Sequence, residues 1–314
     1  MRTLVVGAGA IGGYFGGRLA EAKRDVTFLV RPKRAEELAA SGLTIRSRFG
    51  DVVISKPSTV LAANLHETYD LVLLSCKAFD LEDAIRSFAP AVGPTTAILP
   101  LLNGMRHLDV LDERFGAERV LGGQCLIAAT MNEKREIAHL NDNHDLSFGE
   151  RNGAVSDRIQ AISKLMEGVR FNVKMSQQIL LDMWEKWIFL TSAASSTCLM
   201  RATIGDICAS AGGTDYILGV LEECRRIGAA EGYAMRDGSY NRSRDMLTAR
   251  GSTLTASMLR DIERSGPIEA DHIVGDLLQR GQKHGISDSN SFLEIAYTHL
   301  KSYEARRART AAQQ

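Results

Sequence analysis

The stretch Leu4-Val5-Val6-Gly7-Ala8-Gly9-Ala10-Ile11-Gly12 decides the fold of this chain. Three apolar residues predict a short strand, the glycines a tight turn, and the residues after them a helix. Gly7 permits the turn, Gly9 lets the backbone approach a pyrophosphate, and Gly12 lets helix and strand pack closely. The free N–H groups of Ala10 and Ile11 at the helix start can bind an anion. This order favours a dinucleotide-binding unit over a glycine-rich turn without a ligand.

Composition excludes several other classes of protein. The chain has 314 residues, enough for two domains, and carries 38 basic and 38 acidic side chains, so no net charge indicates nucleic-acid or membrane binding. Its five cysteines form no C-x-x-C pair and are typical of reduced thiols. The longest uncharged apolar-leaning run, Trp187–Met200, is too short to span a bilayer, and the first strand leaves no room for a signal peptide. We therefore expect a cytoplasmic protein without a metal.

The first half of the chain alternates strand-like and helix-like segments. These segments are strand Asp25–Val30, helix Arg34–Ser41, a β excursion over Leu43–Val60, strand Leu71–Ser75, helix Phe79–Ala89, strand Ala97–Leu101 and helix Met105–Phe115. Next come short strands at Val120–Ala129, Glu136–Leu140 and Asp145–Phe148, with a turn at Asn141-Asp142-Asn143, then a helix near 153–167 and a strand at Val169–Val173. This alternation predicts a parallel sheet covered on both faces.

From about Ser176 onward, apolar residues recur only at helical spacing, as in Ile217-Leu218-x-Val220-Leu221-x-x-Cys224. The sequence therefore predicts an α/β fold. Its N-terminal part, residues 1–174, would be a Rossmann-type doubly wound sheet that binds a dinucleotide. Its C-terminal part, residues 175–314, would be an all-helical substrate and catalytic domain.

The end of the second strand indicates which dinucleotide binds. An NAD-binding unit usually carries Asp or Glu there, which holds the ribose hydroxyls. Here Val30 is followed by Arg31, with Lys33 and Arg34 close behind. Three cations would attract a 2′-phosphate, which predicts NADP(H); the alternative is a solvated basic loop.

Two further segments follow later strands at their carboxyl ends, where cofactor contacts are expected. Ser75-Cys76-Lys77 follows the third Rossmann strand, and Asn103-Gly104 follows the fourth. Asn103 can both donate and accept a hydrogen bond, and Gly104 lets the chain pass close to a ligand. The alternative is that both segments are ordinary loops.

Lys186 and Glu269 are the candidates for proton transfer. Lys186 lies in Trp184-Glu185-Lys186-Trp187, where an apolar surround would lower the pKa of the ammonium and suit it as a proton donor. The alternative is a surface ion pair with Asp182 at spacing i,i+4. Pro267 fits the first position of a helix and would place Glu269 in its first turn, where it could equally be a capping carboxylate.

Taken together, these residues resemble the ketopantoate reductase (2-dehydropantoate 2-reductase) family over essentially the whole chain. The matching points are Gly7-x-Gly9-x-x-Gly12, Arg31, Lys77-Ala78, Asn103-Gly104, Trp184-x-Lys186, Ser257-Met258-Leu259-x-Asp261 and Glu269-x-Asp271. The set is specific because both the order and the spacing hold.

The resemblance implies an NADPH-dependent reductase of a small 2-keto acid, with a role in pantothenate biosynthesis. Lys186 would protonate the carbonyl oxygen, and Glu269 would take the substrate hydroxyl. Ser257 would bind the carboxylate side of the substrate, Asn103 would lie by the nicotinamide and the lysine, and Arg31 would hold the 2′-phosphate. A homodimer is also expected.

Three positions depart from the family pattern. Leu190 and Ala194 stand where members of the family usually carry asparagines after the catalytic lysine, and Val274 replaces a third. A site that loses hydrogen-bonding groups changes its discrimination between substrates. The residues therefore leave three functions open: a 2-keto acid reductase, another hydroxyacid or opine-type dehydrogenase, and a non-catalytic NADP(H)-binding sensor.

Overall fold

The computed structural model describes residues 1–313, which form two compact units. The N-terminal unit comprises Met1–Leu102 and His107–Ile179, and the C-terminal unit comprises Asn103–Arg106 and the chain from Leu180 onward. Every strand of the described residues lies in the N-terminal unit, and none follows Met175. The predicted α/β fold class with a helical C-terminal part is therefore confirmed.

The strands form two sheets. In chain order they are β1 (Thr3–Val6), β2 (Val26–Leu29), β3 (Leu43–Arg46), β4 (Val52–Ile54), β5 (Thr59–Val60), β6 (Tyr69–Leu74), β7 (Val92–Pro100), β8 (Gly122–Met131), β9 (Ile137–Gly149) and β10 (Asn172–Met175). The first sheet is wholly parallel in the order β5-β2-β1-β6-β7. The chain leaves β1 toward one side for β2 and returns to its other side for β6. The loop after β1 thus lies at the point where ligands bind in such sheets.

The second sheet was not foreseen as a separate layer. It has the order β10-β9-β3-β4, with β8 paired to β9. The excursion over Leu43–Val60 therefore divides between the sheets, because β5 joins the first while β3 and β4 join the second. The last strand of the unit begins at Asn172, three residues later than predicted.

The polar triplet Asn141-Asp142-Asn143 does not separate two strands, as predicted, but lies inside the single strand β9. Between the pairs Ile127↔His144 and Ala129↔His139, β9 advances five residues while β8 advances two. The extra residues form a bulge, and the Asn141 side-chain oxygen accepts a hydrogen bond from the Ala128 N–H at 2.9 Å. The turn-forming residues therefore lie at a bulge within β9 instead of at a turn between two strands.

Twelve α-helices complete the described chain. They are α1 (Ala10–Glu21), α2 (Pro32–Ser41), α3 (Leu81–Phe88), α4 (Arg106–Phe115), α5 (Asp157–Leu165), α6 (Ile179–Met200), α7 (Ile204–Ala209), α8 (Gly213–Ala230), α9 (Asp237–Leu247), α10 (Ser257–Glu263), α11 (Asp276–Lys283) and α12 (Phe292–Ala311). Within residues 1–313, no helix is long and apolar enough to cross a membrane.

Helix α1 lies between the two sheets of the N-terminal unit. A Cβ at Gly16 would stand 2.7 Å from the Phe28 ring of β2, and one at Gly17 would stand 2.8 Å from Ile45 of β3. Larger side chains would push both sheets away, so the glycines after the first turn of α1 set the spacing of three layers.

Helix α8 is central to the C-terminal unit. It contacts α7, α9, α11 and α12, and it buries Ile217, Val220, Leu221 and Cys224. These are positions of the helical repeat read from the sequence, so that pattern marks a core-facing stripe.

Candidate active site

The loop after β1 has the geometry of a pyrophosphate cradle. Gly7 adopts φ +92°, and a Cβ on Gly12 would stand 2.2 Å from both the Gly7 carbonyl oxygen and the Ser75 hydroxyl. Gly9 is exposed, and a Cβ there would meet nothing within 4 Å. Because Gly9 has no side chain to cap α1, the first-turn N–H groups of Ala10 and Ile11 remain for an anion. These residues fit a dinucleotide.

The end of β6 is joined to this loop. The Ser75 hydroxyl donates a hydrogen bond to the Val6 carbonyl at 3.0 Å, which fixes the carboxyl ends of the two neighbouring strands. Lys77 follows as an exposed residue and begins a short 3-10 turn over Ala78–Asp80. Lys77 therefore lies at the edge of the sheet where the cofactor is expected.

The three cations after β2 differ in their surroundings. Arg31 is exposed, and its Nη2 donates to Asp80 at 2.8 Å and to Asp83 at 3.0 Å. Arg34 instead donates from Nε to the Ala8 carbonyl at 3.1 Å, and it also pairs with a nearby glutamate. Arg34 therefore supports the glycine loop, and a joint cation cluster for a phosphate stays a prediction. Arg31 is an exposed guanidinium just after the end of β2.

In the C-terminal unit, Lys186 is a partly buried residue of α6 among buried neighbours. Trp184 and Trp187 are 2% and 1% exposed, and their ring centroids lie 4.8 Å apart. The packing of these rings fixes the rotation of α6. Lys186 is therefore presented from a rigid element.

Asp182 and Glu185 of the same helix are held by Arg236. Glu185 accepts hydrogen bonds from the Arg236 backbone N–H at 2.9 Å, from Arg236 Nε at 2.8 Å and from the Ser239 hydroxyl at 2.8 Å. Burial alone would raise the pKa of Glu185, but these bonds hold it below its usual range. Asp182 also pairs with Arg236 and is 6% exposed, so it does not lie on the surface; its pairing with Lys186 stays a prediction.

Glu269 precedes a helix. The prediction from Pro267 that Glu269 lies in the first turn is therefore wrong. Helical structure begins at Ala270, and the Glu269 carbonyl accepts a hydrogen bond from the Ile273 N–H at 3.0 Å. Residues Asp271–Gly275 then form a π-helical segment that leads into α11. Such segments are rare and recur at functional sites. The Glu269 side chain is buried, with 7% exposure.

The π-helical segment is bonded directly to the lysine-bearing helix. Trp187 Nε1 and the Thr191 hydroxyl both donate to the Ile273 carbonyl, at 2.9 and 3.1 Å. These two donors lie one residue and five residues after Lys186, so α6 and the segment following Glu269 are held together.

Asn103-Gly104 packs against the same segment, within the C-terminal unit. A Cβ on Gly104 would stand 2.7 Å from the His272 carbonyl oxygen, and Gly104 adopts φ +79°. The His272 imidazole is hydrogen-bonded to the backbone of Asn103. Burial lowers the pKa of His272, and Arg106 lowers it further, whereas Glu269 and the bond to Asn103 oppose this shift. The Asn-Gly pair is therefore more than an ordinary surface turn.

Ser257 is the exposed first residue of α10. The N–H of the preceding residue, Ala256, donates to the Thr197 hydroxyl at 3.2 Å, and Thr197 itself donates to the Ala193 carbonyl at 2.7 Å. α6 thus also positions the start of α10. Asn103, Lys186, Ser257 and Glu269 all lie on segments that the C-terminal unit ties to one another.

The three positions that depart from the family pattern are all apolar, but they differ in burial. Ala194 is 2% exposed and Val274 is 0% exposed, whereas Leu190 is partly exposed one turn after Lys186. Of the three, Leu190 therefore has the side chain most accessible to a substrate.

The sequence reasoning missed Asp80, Asp83, His272 and Thr191. The winding order carried a signal for the first two, since β1 lies between β2 and β6 and the residues after both neighbours share one edge. His272 and Thr191 gave no such signal, because their roles depend on a π-helical segment that no pattern predicted.

Comparison with known proteins agrees with this geometry. The family model of ketopantoate reductase PanE/ApbA matches residues 3–153, and the model of its C-terminal region matches residues 178–304. The chain belongs to the ketopantoate reductase family.

Among its relatives, the chain is similar to the oxidoreductase YkpB of Bacillus subtilis. The two are 36% identical over 305 residues, covering 97% of this chain and 99% of the relative. The crystal structure of 2-dehydropantoate 2-reductase from Geobacter metallireducens is also similar, with a TM-score of 0.86, 27% identity and coverage of 96% of this chain and 99% of that one. A D-mandelate dehydrogenase with NADH and anilino(oxo)acetate shares the fold, with a TM-score of 0.84, 18% identity and coverage of 98% and 100%.

The family settles the general chemistry. This chain is an oxidoreductase of the ketopantoate reductase type, whose reaction is the reduction of a 2-keto acid with a nicotinamide cofactor.

Proposed function

We propose that this chain reduces 2-dehydropantoate, or a related and more apolar 2-keto acid, with NADPH and with Lys186 as general acid. The observation that carries the proposal is the bonding of α6 to the segment after Glu269, through Trp187 and Thr191 to the Ile273 carbonyl. These bonds fix the helix of the proton donor against the segment that carries Glu269.

The chain's residues divide the work. The bound nicotinamide cofactor supplies the hydride that reaches the carbonyl carbon. The Lys186 ammonium gives its proton to the carbonyl oxygen, which becomes the hydroxyl of the 2-hydroxy acid. Glu269 accepts a hydrogen bond from that hydroxyl, Ser257 binds the carboxylate side of the substrate, and Asn103 orients the reacting groups.

The cofactor assignment rests on residues of the N-terminal unit. Gly7, Gly9 and Gly12 leave room for the pyrophosphate, and Arg31 presents an exposed guanidinium after β2, where many NAD-binding units carry a carboxylate. Lys77 adds a positive charge at the same edge of the sheet. This set favours NADP(H) over NAD(H).

The substrate assignment follows from Leu190, the most accessible of the three apolar positions. Apolar side chains leave fewer hydrogen-bonding groups for a polar substrate, and this favours a 2-keto acid with an apolar side chain. We also propose a homodimer; a ketopantoate reductase from Staphylococcus aureus that shares the fold is described as dimeric. Light scattering of the purified chain tests this.

A substrate panel tests the function. NADPH oxidation is followed with 2-dehydropantoate and with 2-keto acids of increasing apolar side chain, for the natural protein, Lys186→Ala and the control Lys283→Ala, an exposed lysine at the end of α11. We expect turnover of at least one keto acid and a loss of about 10²–10⁴-fold in Lys186→Ala only. Tight NADPH binding without turnover of any carbonyl compound would instead support the sensor.

A further inference from the structure

The guanidinium expected to hold the 2′-phosphate is already bonded to two carboxylates. Arg31 Nη2 lies 2.8 Å from Asp80 Oδ1 and 3.0 Å from Asp83 Oδ2. Asp80 ends the short turn after Lys77, and Asp83 lies in the first turn of α3. The residues after β6 therefore place negative charge at the end of β2.

These carboxylates act differently on the two nicotinamide dinucleotides. The 2′-phosphate of NADPH carries a charge of about −2 and needs the same guanidinium, so Asp80 and Asp83 compete with it and repel it. NADH has a hydroxyl at this position, and that hydroxyl can donate a hydrogen bond to a carboxylate. The acidic residue of NAD-binding units accepts such a bond. The pair therefore opposes the selectivity that Arg31 alone would give.

The competition modulates binding without blocking it. The Arg31 side chain is 68% exposed, and those of Asp80 and Asp83 are 36% and 52% exposed. Exposed ion pairs are weak and rearrange readily. Asp83 is moreover shared with Arg86, whose Nη2 lies 3.3 Å away and can retain the carboxylate when a phosphate takes Arg31.

The neighbouring cations compensate only in part for the negative charge of Asp80 and Asp83. Arg34 is committed to the Ala8 carbonyl and to Glu37, which also pairs with Arg135. Exposed Lys33 lies near Arg31 in the chain, and exposed Lys77 lies at the same edge of the sheet. Near Arg31, two carboxylates thus face a positive charge that is only partly available to a phosphate.

We propose that Asp80 and Asp83 are specificity-determining residues that lower the preference of this chain for NADPH over NADH by competing with the 2′-phosphate for Arg31. The proposal rests on the proposed binding of a nicotinamide dinucleotide in the N-terminal unit. It predicts a protein that binds both cofactors with only modest discrimination.

Isothermal titration calorimetry with NADPH and with NADH tests the proposal. The proteins are the natural chain, Asp80→Asn/Asp83→Asn and the control Glu82→Gln, which removes an exposed charge from the same helical turn. We expect the double substitution to lower the Kd for NADPH about tenfold and to change the Kd for NADH less than about twofold. Glu82→Gln should change the ratio of the two constants less than about twofold, because it keeps both Arg31 ion pairs.

Arg31→Ala separates the two ways in which the reasoning could fail. If Arg31→Ala weakens NADPH selectively but Asp80→Asn/Asp83→Asn leaves the NADPH to NADH ratio unchanged, the competition is refuted and the phosphate site stands. If Arg31→Ala weakens both cofactors equally, the assignment of the 2′-phosphate to Arg31 fails, and the competition fails with it. Far-UV circular dichroism during urea unfolding checks that each variant is folded.

Discussion

Substitutions at Gly12 and Gly9 test separately the two roles of the loop after β1, which are folding and cofactor binding. In Gly12→Ala the new methyl would stand 2.2 Å from the Gly7 carbonyl oxygen and 3.2 Å from Val5 Cγ1. The first of these contacts is roughly 1 Å too short, and it involves backbone that cannot rotate away. We expect the free energy of unfolding to fall by about 1–3 kcal/mol, the usual cost of overpacking, although alanine is the better helix former by about 1 kcal/mol.

Gly9→Ala should behave in the opposite way. Its Cβ meets nothing within 4 Å and its backbone is extended, so the loss of stability should stay below about 1 kcal/mol. The same methyl would, however, occupy the exposed face where the pyrophosphate approaches α1. We therefore expect the Kd for NADPH to rise about tenfold or more.

Urea unfolding by far-UV circular dichroism and calorimetric titration with NADPH measure the two effects. Gly9→Ala at natural affinity would show that the pyrophosphate does not lie on this loop. Gly12→Ala at natural stability would refute the close packing of α1 on β1. Together the variants test geometry and ligand independently.

Three further changes probe the C-terminal unit. Arg236→Gln leaves two buried carboxylates of α6 without their guanidinium. We expect the free energy of unfolding in urea to fall by about 2 kcal/mol, less than the roughly 3–5 kcal/mol of a fully buried pair, because Arg236 is 44% exposed. The exposed control Arg244→Gln should change it by almost nothing. Leu190→Asn should raise the ratio of kcat/KM for 2-dehydropantoate to that for an apolar 2-keto acid about tenfold, and an unchanged ratio would argue against substrate contact. The pKa of His272 is lowered in the folded protein, so the unfolded chain binds more protons than the folded one below about pH 6.5, and stability is lost there. His272→Gln should therefore reduce the loss of stability between about pH 7.5 and 5.5. An identical pH profile for the variant and the natural protein would contradict a buried neutral imidazole.

The parts of the fold with a local signature were predictable from the sequence. The glycine turn, the parallel strands and the helical second half follow from periodicity and from residues such as Gly7, whose backbone requires a positive φ. The second sheet was not predictable as a layer, because the pairing of β3 with β9 joins segments about ninety residues apart. The bulge at Asn141 shows that turn-forming composition does not distinguish a turn from an insertion within a strand.

The site divides in a similar way. Lys186, Ser257, Glu269 and Asn103 were expected from their order and spacing, and the fold connects the segments that carry them. Their supporting contacts could not be read from the sequence, since the bonds of Trp187 and Thr191 to Ile273 depend on a π-helical segment with no distinctive pattern. The carboxylates at Arg31 were likewise hidden, because ion pairs across a sheet edge follow from strand order rather than from spacing.

A single-turnover reaction tests the central claim most directly. The protein is loaded with a stoichiometric amount of NADPH and mixed with the best 2-keto acid of the panel, and the 2-hydroxy acid formed per bound cofactor is measured over time, with Lys186→Met beside the natural chain. We predict one product molecule per cofactor for the natural protein, and a rate lower by about 10²-fold or more for Lys186→Met at unchanged NADPH affinity. Bound NADPH left intact by every keto acid, or a natural rate in Lys186→Met, would contradict the proposed reductase.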